Sequence, residues 1–140
     1  MKKTIWGNTI VKNEDKYLYF AVESVIEFLD KLLIWDTGSS DNTIEIIKLL
    51  KKNNVAFVFA HEGGEKAPYT EEPTADFIYA RLHGGGKKYV KGYPDKEIVR
   101  WATKVKAWNK AGLDTFVYFS NEAKIYSPTG AEKLMRLLVK

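Results

Sequence analysis

Polar side chains follow each of the segments that the sequence predicts to be β-strands. They are Asn13 and Glu14, Asp36, His61, Arg81 and His83, and Asn121. Because the carboxyl ends of parallel strands share one edge of a sheet, we expect these side chains to gather there. Taken singly, each of them is better explained as the ordinary polar end of a strand.

The residues at the ends of the predicted fourth and fifth strands favour anion binding. Arg81 could hold an anion through two parallel hydrogen bonds, and the glycines at 84–86 would let the backbone approach a phosphate closely. The predicted anion-binding residues are Arg81, His83, Gly84 and Asn121. His83 has no carboxylate at a readable spacing to orient it, so we predict no catalytic residue.

The elements that would position these residues can be predicted from the hydrophobic spacing, which gives the order β-α-β-α-β-loop-β-α-β-α. The predicted strands are Thr4–Lys12, Leu32–Trp35, Val55–Ala60, Ala75–Leu82 and Thr115–Ser120. The first helix should run from Leu18 to Leu29, and the last should begin at Thr129, which has Glu132 at capping-box spacing. Residues 61–74 lack a helical period and predict a long loop.

Short apolar strands that alternate with amphipathic helices are typical of a mostly parallel sheet covered by helices. We therefore expect an α/β fold in which residues 1–140 form a single domain around a five-stranded sheet. Five strands are too few to close an eight-stranded TIM barrel. The strand order and the direction of the fourth strand stay open, because no crossover helix precedes that strand.

The composition is that of an ordinary globular protein. The chain has 140 residues, 45% apolar and 29% charged, with no cysteine and only two histidines. Disulfide scaffolds, thiolate catalysis and His-rich or thiolate metal sites are therefore excluded, and we expect no metal and no cofactor. No apolar run reaches the roughly 18 residues of a membrane helix, so we expect a cytoplasmic protein without membrane association.

The charge does not predict a nucleic-acid partner. The formal net charge is +4, from 22 basic and 18 acidic side chains. Basic and acidic residues are interspersed along the chain, as on a solvated surface, whereas nucleic-acid binders concentrate positive charge on one face. A nucleotide or phosphate ligand, and a homodimer formed through open sheet edges, remain as candidate partners.

Two stretches of the first third carry a family resemblance. They are Val11–Glu14 and, one helix later, Leu33–Thr43. Together they resemble the start of the inverting family-two glycosyltransferases, whose GT-A fold holds a nucleotide-sugar donor. Over residues 1–51 the resemblance implies a nucleotide-binding set. Its members are Asn13, Glu14, Asp36, Ser39, Ser40 and Asp41.

The chemistry of these side chains is compatible with nucleotide binding but does not require it. A carboxylate at a strand end can accept a hydrogen bond from a base or ribose, and the start of a helix attracts phosphate. The same run is also a tight turn rich in helix-capping residues. The Asp-x-Asp motif that holds the metal in glycosyltransferases is missing, and so is their acidic catalytic base, which argues against an enzyme.

The rest of the chain resembles a different family. Residues 54–140 are similar to the C-terminal part of the DUF72 family, a TIM-barrel family of bacteria and archaea. The most specific points are Arg-Leu-His-Gly at 81–84 and Tyr-Phe-Ser-Asn at 118–121, where Ser120 replaces an asparagine usual in the family. The family's own opening strands are not recognised in this chain.

These resemblances lead to a hypothesis of chimeric origin. The chain would join a glycosyltransferase-like βαβα segment (1–51) to a barrel-derived ββαβα segment (54–140) as an engineered, de novo or recombinant scaffold without a complete catalytic site. The alternative is a glycosyltransferase-like domain that binds a nucleotide or nucleotide sugar. A third possibility is an interaction module that self-associates through a sheet edge.

Overall fold

A computed structural model describes residues 4–61, 71–84, 92–120 and 126–139. Within these ranges, strands and helices alternate along the chain. The strands are β1 (Trp6–Val11), β2 (Lys31–Asp36), β3 (Val55–His61), β4 (Phe77–Leu82) and β5 (Asp114–Phe119). The helices are α1 (Leu18–Glu23), α2 (Thr43–Leu49), α3 (Asp95–Lys110) and α4 (Tyr126–Leu138), with short 3₁₀ helices at Ile26–Phe28 and Leu50–Asn53.

The five strands form one parallel sheet in the sequential order β1-β2-β3-β4-β5. The predicted α/β class and five-stranded parallel sheet are therefore confirmed, and the sheet is not a closed barrel. The fourth strand, whose direction the sequence left open, runs parallel to both neighbours. Whether residues 1–140 form a single domain stays a prediction.

The two faces of the sheet are packed differently, because successive side chains of a strand point to opposite faces. One face carries the larger core, in which Ile34, Phe59 and Leu82 pack against helix residues such as Trp101 and Leu134. The other carries a smaller cluster. Its buried members are Leu33, Ala56, Val58 and Phe77.

The smaller cluster lies on the concave face of the sheet. The rings of Trp6 on β1 and Phe116 on β5 lie 5.3 Å apart, although three strands separate β1 from β5 in the sheet. Both side chains also contact Phe77 on β4. The sheet must therefore curl towards this face, and the helices cover the convex face.

Two helix boundaries differ from the predictions. The first helix ends at Glu23 instead of Leu29, where the Ser24 hydroxyl donates to the carbonyl of Ala21 and a 3₁₀ turn follows. The last helix begins at Tyr126, so Thr129 lies inside it and the predicted capping box is wrong. Among the described helices, none is both long and apolar enough to cross a membrane.

Candidate functional site

The loops after β1 and β2 are held together by hydrogen bonds among the residues of the predicted nucleotide-binding set. The Ser39 hydroxyl donates to the Asp36 carboxylate and accepts the Asn13 N–H at 2.8 Å. The Asn13 side-chain oxygen accepts the Ser40 N–H at 2.8 Å. The carboxylate of Asp36, which is buried, also accepts the N–H groups of Gly38 and Ser39 at 3.0 Å.

A second set of bonds continues the same loop contact. The buried Thr43 hydroxyl donates to the Asp41 carboxylate and accepts the Glu14 N–H at 2.8 Å. Asp41 also accepts the Asp15 N–H at 3.2 Å. Burial acts to raise the pKa of Asp41, but the hydrogen bonds from Thr43 and the backbone outweigh it and lower that pKa. The capping residues of this run thus bind each other and fix the two loops.

The predicted anion-binding residues on β4 lie on the concave face. The guanidinium carbon of Arg81 is 4.1 Å from the centre of the Trp35 ring, and its Nη2 lies 3.4 Å from the Ser120 hydroxyl. The ring of His83, which is buried, stacks on Trp35 with centroids 5.7 Å apart. Among the described residues, no carboxylate forms an ion pair with Arg81.

Two tyrosines extend this group towards β5. Tyr79 and Tyr118 stack with ring centroids 4.8 Å apart, and Tyr118 is 49% exposed. Burial, reinforced by Tyr118, raises the pKa of Tyr79, so its hydroxyl keeps its proton at neutral pH. The concave face therefore presents one arginine among aromatic rings at the carboxyl ends of β2, β4 and β5, an arrangement able to hold an anion that carries a flat ring.

His61 lies at the same edge of the sheet but on the convex face. Its Nδ1 is 2.7 Å from the hydroxyl of Tyr93, which also bonds to the Gly84 backbone and to the carbonyl of His61. Burial lowers the pKa of His61, and the positive charge of Lys104 lowers it further. Trp101 of α3 packs edge-on against the imidazole. This group joins β3 to α3.

The polar side chains that were expected to form one cluster at this edge therefore form two groups, one on each face of the sheet. Arg81 and His83 come together, whereas Asp36 and His61 project to the convex side. Asn121 lies outside the described residues. The concave group consists of Arg81 and His83 together with four residues that were not predicted from the sequence: Trp35, Tyr79, Tyr118 and Ser120. Strand alternation was the available signal for one of them, because Tyr79 lies two residues before Arg81 on the same strand and must share its face.

The part of the chain that the structure describes contains no cluster of side chains suited to binding a metal ion. No group of three or more histidine, aspartate or glutamate side chains there is close enough to hold an ion.

Comparisons with known proteins point to one family. A family model described as "Protein of unknown function DUF72" matches residues 20–140. A DUF72 family protein from Enterococcus faecalis V583 is similar in structure, with a TM-score of 0.75 and 14% identity over 95% of this chain and 60% of that chain. One from Thermotoga maritima MSB8 has a TM-score of 0.74 and 18% identity, over 95% and 58%. The chain thus spans less than two thirds of these relatives, and no curated protein matches it.

These matches overturn the chimera hypothesis. The family match includes Leu33–Thr43, the run that resembled a glycosyltransferase, and the solved structures cover both proposed segments. The glycosyltransferase-like function and the de novo or recombinant origin are therefore wrong. The resemblance has a local physical basis, because the side chains of Asp36, Ser39 and Asp41 accept hydrogen bonds from backbone N–H groups of the two loops. No comparison tests a ligand at these residues.

Proposed function

The chain belongs to the DUF72 family, and from that premise we propose that it binds a small organic anion on the concave face of its sheet. Arg81 holds the anionic group, and the flat part of the ligand lies against the rings of Tyr79 and Tyr118. The ligand class is a phosphate ester with a planar ring. The location agrees with the carboxyl-terminal face at which TIM-barrel-like folds place their sites.

The observation that carries this proposal is that Arg81 has no carboxylate partner among the residues that the structure describes. A guanidinium has five N–H donors, and within the described parts of the chain the only hydrogen bond of Arg81 is the 3.4 Å contact with the Ser120 hydroxyl. The side chain is half-buried between aromatic neighbours, where a charge without a counter-ion is costly. A phosphate supplies both the opposite charge and the two acceptors that the guanidinium fork requires.

The aromatic surroundings support a ring-bearing ligand over a bare anion. Half-exposed Tyr118 stacks on Tyr79 and leaves part of its ring open to solvent. Stacking of a ligand ring on such a surface adds about 0.5–1.5 kcal/mol beyond the area buried. A ligand ring on this surface would displace water from beside Arg81, which would strengthen the attraction between Arg81 and the anion.

Calorimetric titration of phenyl phosphate, inorganic phosphate and phenol tests the proposal. We expect phenyl phosphate to bind more tightly than either partial ligand. Arg81→Gln should weaken its binding by about tenfold or more, since a charge-assisted hydrogen bond contributes about 1.5–3 kcal/mol. The matched control is Arg100→Gln, which removes the same charge from the exposed surface of α3 and should leave the affinity unchanged.

A second variant separates the ring contact from the anion contact. Tyr118→Leu should reduce the affinity for phenyl phosphate but leave that for inorganic phosphate unaltered. Thermal unfolding of each variant checks that it is folded. Equal losses in Arg81→Gln and Arg100→Gln, or no saturable binding of phenyl phosphate at millimolar concentration, would contradict the proposed function.

A further inference from the structure

Two tyrosines of neighbouring strands lie against each other on the concave face of the sheet. Tyr79 belongs to β4 and Tyr118 to β5, and their rings stack with centroids 4.8 Å apart and planes inclined by 23°. Tyr19 and Tyr93, by contrast, have rings of phenylalanine or histidine as neighbours. The stacked pair therefore holds two phenols in direct contact.

The register of the sheet fixes the two phenols in this position. Tyr118 is paired with Arg81, which lies two residues beyond Tyr79 on β4. The two tyrosines are therefore diagonal neighbours on one face of adjacent strands, within reach of each other's rings. Two reacting groups that are held together in this way react as one molecule, and far faster than the same groups free in solution.

An oxidant in solution can reach this pair through Tyr118, which is 49% exposed, whereas Tyr79 is half-buried. The two hydroxyls interact, since burial and then Tyr118 raise the pKa of Tyr79. An electron and a proton of Tyr79 can therefore pass to a radical formed on Tyr118. The positive charge of Arg81 acts in the opposite direction on the same pKa and favours release of the proton once the electron has left.

We infer that Tyr79 and Tyr118 form a site of oxidative modification, at which a one-electron oxidant joins the two rings by a carbon–carbon bond. Each phenol gives one electron to the oxidant and one proton to water. The two phenoxyl radicals couple at ring carbons next to the carbons that bear oxygen, and the hydrogens of the coupled carbons then move to the oxygens. In total, two C–H bonds break and one C–C bond forms. Two protons leave for water, and two electrons leave for two equivalents of the oxidant.

The bond would tie β4 to β5 beside Arg81 and close the chain between residues 79 and 118 into a loop. Covalent closure of a loop restricts the unfolded chain and thereby stabilises the folded one. The inference depends on the contact between the two rings and not on anion binding, so it can fail or succeed independently of the proposed function.

Oxidation of the full 140-residue chain by photogenerated ruthenium(III) tris-bipyridine, a one-electron oxidant, tests the inference. We expect a monomeric product that has lost two hydrogen atoms, emits the fluorescence of dityrosine and unfolds at a higher urea concentration. Trypsin should release residues 67–81 joined to residues 111–124, and Tyr118 is the single tyrosine of the second peptide. The yield should not change with protein concentration, because both rings belong to one chain.

Phenylalanine variants identify the two partners. Tyr79→Phe and Tyr118→Phe each keep an aromatic ring but remove one phenol, so each should abolish the joined peptides. Tyr79→Phe also distinguishes Tyr79 from Tyr69, the other tyrosine of residues 67–81. The matched control is Tyr17→Phe, because Tyr17 is 70% exposed and its removal should leave the yield unchanged. Thermal unfolding checks that each variant is folded.

Oxidation of the wild-type chain in urea provides a measurement that needs no variant. Unfolding separates the two rings, so the yield of the joined peptides should fall several-fold. Equal yields from the folded and the unfolded chain would overturn the inference. It would equally be overturned by joined peptides in Tyr79→Phe, by cross-links found only between chains, or by a folded wild-type chain that is oxidised without joining these peptides.

Discussion

At the scale of single residues, the two histidines show how a strand separates neighbours into different environments. The N–H of His83 donates to the carbonyl of His61 at 3.0 Å, so their backbones are adjacent. The side chain of His83 nevertheless stacks on Trp35 at the concave face, while that of His61 packs between Tyr93 and Trp101 on the convex face. The two histidines of this end of the sheet therefore belong to different groups, one on the concave face and one on the convex face.

The environment of His61 predicts a pH dependence of stability. Burial lowers its pKa below the ordinary value of 6.5, and Lys104 and Arg100 lower it further, against the opposing charges of Glu97 and Glu71. In the window between the folded and unfolded pKa, the unfolded chain binds more protons. Stability should therefore be constant above about pH 7 and fall as the pH drops below 6.5 towards the folded value.

Chemical denaturation between pH 5 and 8 measures this effect. His61→Gln keeps a polar group near the Tyr93 hydroxyl but cannot titrate, so its stability should fall less over the same window. His83→Gln is the matched control, because it removes the other histidine of the chain and should preserve the dependence. An equal pH profile for the wild type and His61→Gln would contradict the assignment.

Part of the concave group could be predicted from the sequence alone. Arg81 and His83 are two residues apart on one strand and must share a face. The contact of Arg81 with Trp35 could not be predicted, because it depends on strand order, on the registers across β3 and on the curl of the sheet. Long-range geometry of this kind has no signature in local periodicity.

At the scale of elements, the packing of α4 on β5 depends on one glycine. A Cβ placed on Gly130 would lie 2.8 Å from two ring carbons of Phe119, closer than real side chains approach. The helix therefore lies directly on the aromatic ring. The hydrophobic pattern identified α4 as amphipathic, but it could not predict this close approach or the start of the helix at Tyr126.

Gly130→Ala should destabilise the protein despite the better helix propensity of alanine. The propensity gain is about 1 kcal/mol, whereas overpacking costs about 1–3 kcal/mol, so we expect a small net loss in urea denaturation. Phe119→Val removes both of the overlapping ring carbons, because the valine side chain ends at Cγ. In that background Gly130→Ala should become neutral or stabilising, and a loss of the same size in both backgrounds would show that Phe119 is not the cause.

At the scale of the whole molecule, two sets of contacts differ in how far apart in the sheet the residues that they join lie. The bonds between Asp36, Ser39 and Asn13 are local, joining consecutive units, and they produce a motif that resembles an unrelated family. The contact between Trp6 and Phe116 joins units at opposite edges of the sheet. The family assignment does not depend on the local motif, because the family model matches residues 20–140, whereas a capped turn can occur in many folds.

The contribution of the Trp6 ring to overall stability and to the packing of β5 can be measured. Trp6→Ala removes a 39% exposed ring that touches both Phe77 and Phe116, and it should cost about 1–3 kcal/mol of unfolding free energy. Hydrogen exchange should also accelerate in β5, with which β1 shares no ladder. Ile10→Ala is the control, because Ile10 lies on the same strand and face but is 60% exposed, and it should leave β5 unaffected. If the two variants perturb β5 equally, the curvature is maintained by the sheet itself and not by the aromatic contact across it.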